Sequence, residues 1–141
     1  MEREPGLPTF SGYRALVSLL ENDEAAQLEL GQEAEVATSN NIRFISFPIP
    51  DRGVPASTPG AILLLKSIVQ ALEQGRNVAV HCRQGLGRSA LIAAGALVTS
   101  GMSPQKAIDI VSAARGETVP ETPAQLQWIH ELPAERPVLT S

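Results

Sequence analysis

VAVHCRQGLGRSALIAAGALVTSG, residues 78–101, decides the fold. Val78 to Val80, running into His81, read as a short buried strand, and Ser89 to Ser100 as a nearly apolar helix stopped by Gly101. Between them lies a loop with the chain's single cysteine, Cys82, two glycines and two arginines, the second of which ends it. A strand that passes through a glycine-bearing loop into a helix belongs to sheets whose strands run parallel and whose faces are covered by helices.

The rest of the chain extends that pattern outward. Ala15 to Leu20 (ALVSLL) and Phe44 to Ile49 (FISFPI) are two further short apolar runs suited to strands. Asn22 can cap an acidic helix, Asp23 to Ala37, whose early carboxylates suit the positive end of the helix dipole. A helix that Thr58 can cap, with Pro59 in its first position, carries Ile62, Leu65, Val69 and Leu72 on one face and stops at Gly75. Ser103 and Pro104 open a helix that Gly116 ends, and Thr122 and Pro123 open the last. The expected fold class is therefore α/β, a central, mainly parallel sheet flanked by helices. The organisation is a tail over residues 1–12, one domain over 13–132 and a tail over 133–141.

Composition limits the function classes. A chain of 141 residues with 43% hydrophobic and 18% charged residues makes one globular domain with its own core. One cysteine forms no internal disulfide, no apolar run approaches the ~20 residues of a membrane span, and MEREPGLPTF is too charged and proline-broken for a signal peptide. A cytoplasmic setting with no membrane partner is expected. The net charge of −4 argues against a nucleic-acid partner, which needs a concentrated basic surface. Any anion-binding capacity has to be local.

The loop HCRQGLGRS, His81 to Ser89, supplies it. Ligands of open parallel sheets sit beyond the carboxyl ends of the strands, where a helix N-terminus presents unpaired N–H groups. Gly85 and Gly87 let the backbone curl so that successive N–H groups face one concavity. Arg88, six positions after Cys82, can turn its planar fork on the same ligand. A tetrahedral oxyanion fits such a cradle, and the positive surroundings favour Cys82 as a thiolate nucleophile. Ser89 can hydrogen-bond the sulfur and ease its departure, while His81 orients the loop from the strand behind it. A lone cysteine is more often an inert core residue; its Gly, Gly and Arg neighbours reverse that preference.

At these residues the chain resembles the cysteine-dependent protein phosphatases, the protein tyrosine and dual-specificity enzymes, whose phosphate loop reads His-Cys, five residues, Arg and Ser or Thr. The resemblance implies that residues Arg83, Gln84, Gly85, Leu86, Gly87 and Arg88 wrap the phosphate, that Cys82 forms a phosphocysteine, and that a loop aspartate protonates the leaving oxygen and then activates water. It implies no metal and no organic cofactor. The partner it implies is a phosphorylated protein, carrying phosphotyrosine or phosphoserine and phosphothreonine. Of the three aspartates, Asp23 starts the acidic helix and Asp109 lies within another, leaving Asp51 in FPIPDRGVP, 31 residues before Cys82. Prolines stiffen that segment and Gly53 gives it a hinge. Family members usually carry more structure before the first strand, so a shortened N-terminal region and a smaller sheet are expected here.

Other residues carry less. Gln125 matches either a glutamine that positions water in some family members or the end of a capping box begun by Thr122, and the box is the better reading. Arg52, Arg83 and Arg115 are possible surface contacts for an acidic substrate; Trp128 and His130 are expected to pack on the terminal helix. Two other functions stay open. A rhodanese-type sulfurtransferase also uses a strand-to-helix cysteine loop, but usually one residue shorter. A phosphate-binding module without catalysis would not need Asp51. Lipid phosphates are disfavoured because Arg83 is the loop's sole additional cation.

Overall fold

In a computed structural model, residues 14–27, 33–39, 42–50, 52–82 and 87–133 are described. Among them the order is β1 (Arg14–Ser18), α1 (Asn22–Gln27), α2 (Glu33–Ser39), β2 (Ile42–Ser46), α3 (Thr58–Glu73), β3 (Asn77–His81), α4 (Gly87–Thr99), α5 (Pro104–Arg115) and α6 (Pro123–His130). The strands form a three-stranded parallel sheet, order β2-β1-β3, as the alternation of strand and helix requires. Arg14 pairs with Ile42 on one side and Asn77 on the other, and Ser18 with Ser46 and His81. A parallel sheet brings all its carboxyl ends to one edge. That edge is where the segments after β1, β2 and β3 meet.

β1 is central, so Ala15 and Val17 are buried and the strand reads as a near-continuous apolar run. The sequence placed the strands a little late, over 15–20 and 44–49, because Leu19, Leu20 and Ile49 are as buried as strand residues. They lie just past the ladder and are held to it. Leu19 N–H donates to His81 O at 2.9 Å, Phe47 N–H to Ser18 O at 2.8 Å and Ile49 N–H to Leu19 O at 3.0 Å. These bonds fix the backbone at the edge where ligands bind.

α4 is the core helix. Eleven of its thirteen residues are buried, as expected for a helix apolar on every side, and it packs on α3, α5 and α6. At Gly95 a Cβ would stand 3.2 Å from both Leu65 methyls and 3.3 Å from a Leu132 methyl, so glycine permits the close approach of α3 and α4. Caps follow the expected grammar at Ser103, Thr122 and Gly116, whose φ is +74°. No helix among the described residues is long and apolar enough to cross a membrane.

Two local expectations change. The cap of α3 is Ser57, whose Oγ accepts from Gly60 N–H at 3.1 Å; Thr58 and Pro59 occupy the first turn. The hydroxyl three residues before an unpaired N–H is the one that reaches it. The expected acidic helix is described over two stretches, α1 and α2, and residues 28–32 between them lie outside the described residues. α4 begins at Gly87 rather than Ser89, which places Arg88 inside its first turn.

Candidate active site

Cys82 directly follows the last residue of β3, and α4 starts five residues later at Gly87. The cysteine is 8% exposed, and its Sγ lies 3.5 Å from Ser89 Oγ, which is itself buried. A hydrogen bond across seven residues therefore closes the loop, the contact expected from the sequence. Arg83, Gln84, Gly85 and Leu86 lie outside the described residues. His81 ends β3, half-buried and paired in register with Ser18.

Arg88 is 1% exposed, and burial on that scale demands a partner for its charge. The partner is Glu24, near the start of α1. Nη1 donates to Glu24 Oε1 at 2.7 Å and Nη2 to Oε2 at 2.8 Å, while Nη1 also donates to the Ile49 carbonyl at 2.9 Å. One guanidinium thus ties together the segments that follow β1, β2 and β3. Glu24 Oε1 also accepts from Glu21 N–H at 3.0 Å, so the carboxylate closes the first turn of α1 as well. Both ends of the Arg88 fork that point away from its chain are engaged by Glu24. The edge formed by Nε–H and the second Nη2–H has the parallel geometry that suits two oxygens of one phosphate.

Asp51 lies outside the described residues. Its neighbours show a tight segment: Gly53 N–H donates to Pro50 O at 2.8 Å, and Arg52 takes a left-handed φ of 61°. Ile49, whose carbonyl receives Arg88, is two residues ahead of Asp51. The second strand's exit is therefore joined to the loop arginine.

Gln125 does more than cap. Thr122 Oγ1 accepts from Gln125 N–H at 3.1 Å, the half of a capping box that the sequence suggested. The side-chain amide goes elsewhere: Oε1 accepts from Glu121 N–H at 3.1 Å, and Nε2 donates to Gly53 O at 3.0 Å, 72 residues away. Fully buried, it fastens the start of α6 to the segment that carries Asp51. Of the remaining candidates, Trp128 is buried as expected, while His130 and Arg52 are exposed.

Two residues at this edge were not singled out by sequence. Glu24 read only as a helix-start acid; the signal that finds it is the need of a buried loop arginine for a carboxylate beyond the end of a neighbouring strand. Glu121 is the second. A Cβ built on Gly87 would fall inside the Glu121 carboxylate, so that side chain rests directly on the residue before Arg88.

The comparisons agree with this architecture. The sequence profile of the family described as "Dual specificity phosphatase, catalytic domain" matches residues 21–133. Cyclin-dependent kinase inhibitor 3 of Rattus norvegicus is 33% identical over 106 residues, covering 74% of this chain and 47% of the rat protein. Protein tyrosine phosphatase domain-containing protein 1 of Danio rerio is 37% identical over 98 residues, 69% of this chain and 13% of that protein. The chain spans about half the length of the rat relative. Among solved structures, kinase associated phosphatase with its catalytic-site cysteine replaced by serine superposes with a TM-score of 0.77 at 25% identity, covering 85% of this chain and 68% of that one. Tk-PTP in its active form gives 0.73 at 29%, covering 86% and 78%. The profile takes in β2, β3, the Cys82 loop and α4 together, and on that match the chain belongs to the dual-specificity phosphatase family.

Proposed function

We propose that this domain hydrolyses phosphate monoesters on proteins, phosphotyrosine together with phosphoserine and phosphothreonine, through a phosphocysteine on Cys82. The observation that carries the reading is the 3.5 Å approach of Cys82 Sγ to Ser89 Oγ across a loop that ends in the first turn of α4. It sets the sulfur at the helix's N-terminal end, where an anion is favoured.

In the first step Cys82 Sγ attacks phosphorus, the S–P bond forms, and the P–O bond to the substrate breaks. The leaving oxygen keeps the electron pair and takes a proton from Asp51. Arg88 holds two equatorial oxygens through its Nε–Nη2 edge, where charge accumulates as the bonds exchange. In the second step water attacks phosphorus and gives its proton to Asp51. The S–P bond breaks, its electron pair returns to sulfur, and the Ser89 hydroxyl stabilises the departing thiolate. Inorganic phosphate and the starting enzyme remain.

The test is hydrolysis of para-nitrophenyl phosphate by the parent and by Cys82→Ser. Turnover by the parent and none by the serine variant, with both folded, is the expected result. A folded parent that leaves the ester intact but transfers sulfur from thiosulfate to cyanide would replace this reading with a sulfurtransferase.

A further inference from the structure

Glu121 sets an acid against a loop read here as a phosphate cradle. Its backbone is fixed: the Glu121 N–H donates to Gln125 Oε1 at 3.1 Å, and Gln125 is buried and held at its other end by Gly53 O at 3.0 Å. Glu121 is an exposed residue, yet its carboxylate lies against Gly87, close enough that a Cβ there would overlap it. Gly87 is the first residue of α4 and the neighbour of Arg88. The N-terminal N–H groups that draw a phosphate to this place draw a carboxylate by the same physics.

We infer that Glu121 is a built-in competitor of phosphate: a carboxylate resting on the rim of the loop that weakens the binding of a phosphate dianion and hastens its departure after each turnover. The inference rests on the phosphate-binding reading of the Cys82 loop. A carboxylate set against Gly87 shares the sign of a phosphate drawn to the same helix end, and the two oppose each other. The opposition amounts to roughly five- to tenfold in affinity for a dianion once solvent and ions have screened part of it. Any larger side chain at residue 87 would have to displace the acid.

The experiment measures inorganic phosphate directly, by calorimetric titration and as a competitive inhibitor of para-nitrophenyl phosphate, with the parent, Glu121→Gln, Glu121→Asp and Glu117→Gln. Glu117 is an exposed acid nearby in sequence that controls for net charge. Glu121→Gln should tighten phosphate binding about five- to tenfold, with a gap that narrows as salt is raised; Glu121→Asp, whose charge is drawn back by one methylene, should tighten it less. Glu117→Gln should leave it within about twofold of the parent, because screening weakens charges farther off. Equal affinity in Glu121→Gln and parent, with turnover intact, overturns this inference alone. Equal tightening by Glu117→Gln overturns it too, by reducing the effect to net charge. If no protein binds phosphate or turns over the ester, the phosphatase reading falls and this one with it.

Discussion

Glu24 and Arg88 stand 64 positions apart in sequence and meet as a two-point ion pair, Oε1 to Nη1 at 2.7 Å and Oε2 to Nη2 at 2.8 Å, inside the domain. Arg88 lies in the first turn of α4, and Glu24 in α1, the segment after the central strand. The pair turns a flexible side chain into a fixed one. An arginine clamped end-on can meet a ligand without first losing rotamer freedom.

Removing Glu24 should therefore damage both stability and activity. Glu24→Ala strips a buried guanidinium of its carboxylate, and a broken buried pair costs about 3–5 kcal/mol. Urea denaturation should show that loss, and phosphate-ester turnover should fall with it. Arg88→Lys keeps the charge but not the fork, and should lose activity by more than tenfold. Near-parental turnover in the lysine variant would mean that the fork is not what holds the substrate.

Gln125→Ala should cost about 2–4 kcal/mol, since it strips partners from Glu121 N–H and Gly53 O and leaves a cavity at a fully buried site. Its kinetic signature should follow the loop it holds. Rates should drop more for alkyl phosphates than for para-nitrophenyl phosphate if Gln125 positions the Asp51 segment. A uniform drop that tracks stability would make Gln125 a fold residue only.

Asp51→Asn should slow poor leaving groups far more than good ones, because only the former need a proton in the transition state. A series of aryl phosphates of increasing phenol pKa reads this as a steeper dependence of rate on leaving group. An unchanged slope would remove Asp51 as the acid.

Ser89→Ala should act later in the cycle. Losing the hydroxyl 3.5 Å from Cys82 Sγ should slow breakdown of the intermediate and leave its formation near the parental rate. Stopped-flow traces should then show a burst of nitrophenol followed by a steady state several-fold slower than the parent's. A slow first turnover with no burst would place Ser89 in formation instead.

Much of this was legible because it is local. Three apolar runs, the helix after Cys82 and the caps at Ser103 and Thr122 each depend on neighbours within a few residues; the caps formed where expected, and the strands and that helix begin within two residues of it. Where two hydroxyls stood side by side, Ser57 and Thr58, spacing alone favoured neither, and the N–H of Gly60 decided. Glu24 and Gln125 were harder for a physical reason. Each satisfies a local rule at a helix start, and each also bonds across the fold, to Arg88 and to Gly53. Local patterns report the first role and conceal the second. Glu121 carries no motif; only its approach, from the segment before α6, to Gly87 reveals it.

The central claim is the phosphocysteine, and it can be trapped. The parent mixed with para-nitrophenyl phosphate, quenched in denaturant within the first turnover and digested with protease, should yield the peptide bearing HCRQGLGRS with one added phosphoryl group, assigned by fragmentation to Cys82. The same peptide from Cys82→Ser should be unmodified. A parent that releases phosphate at full rate while Cys82 stays unmodified at every time point would contradict the account.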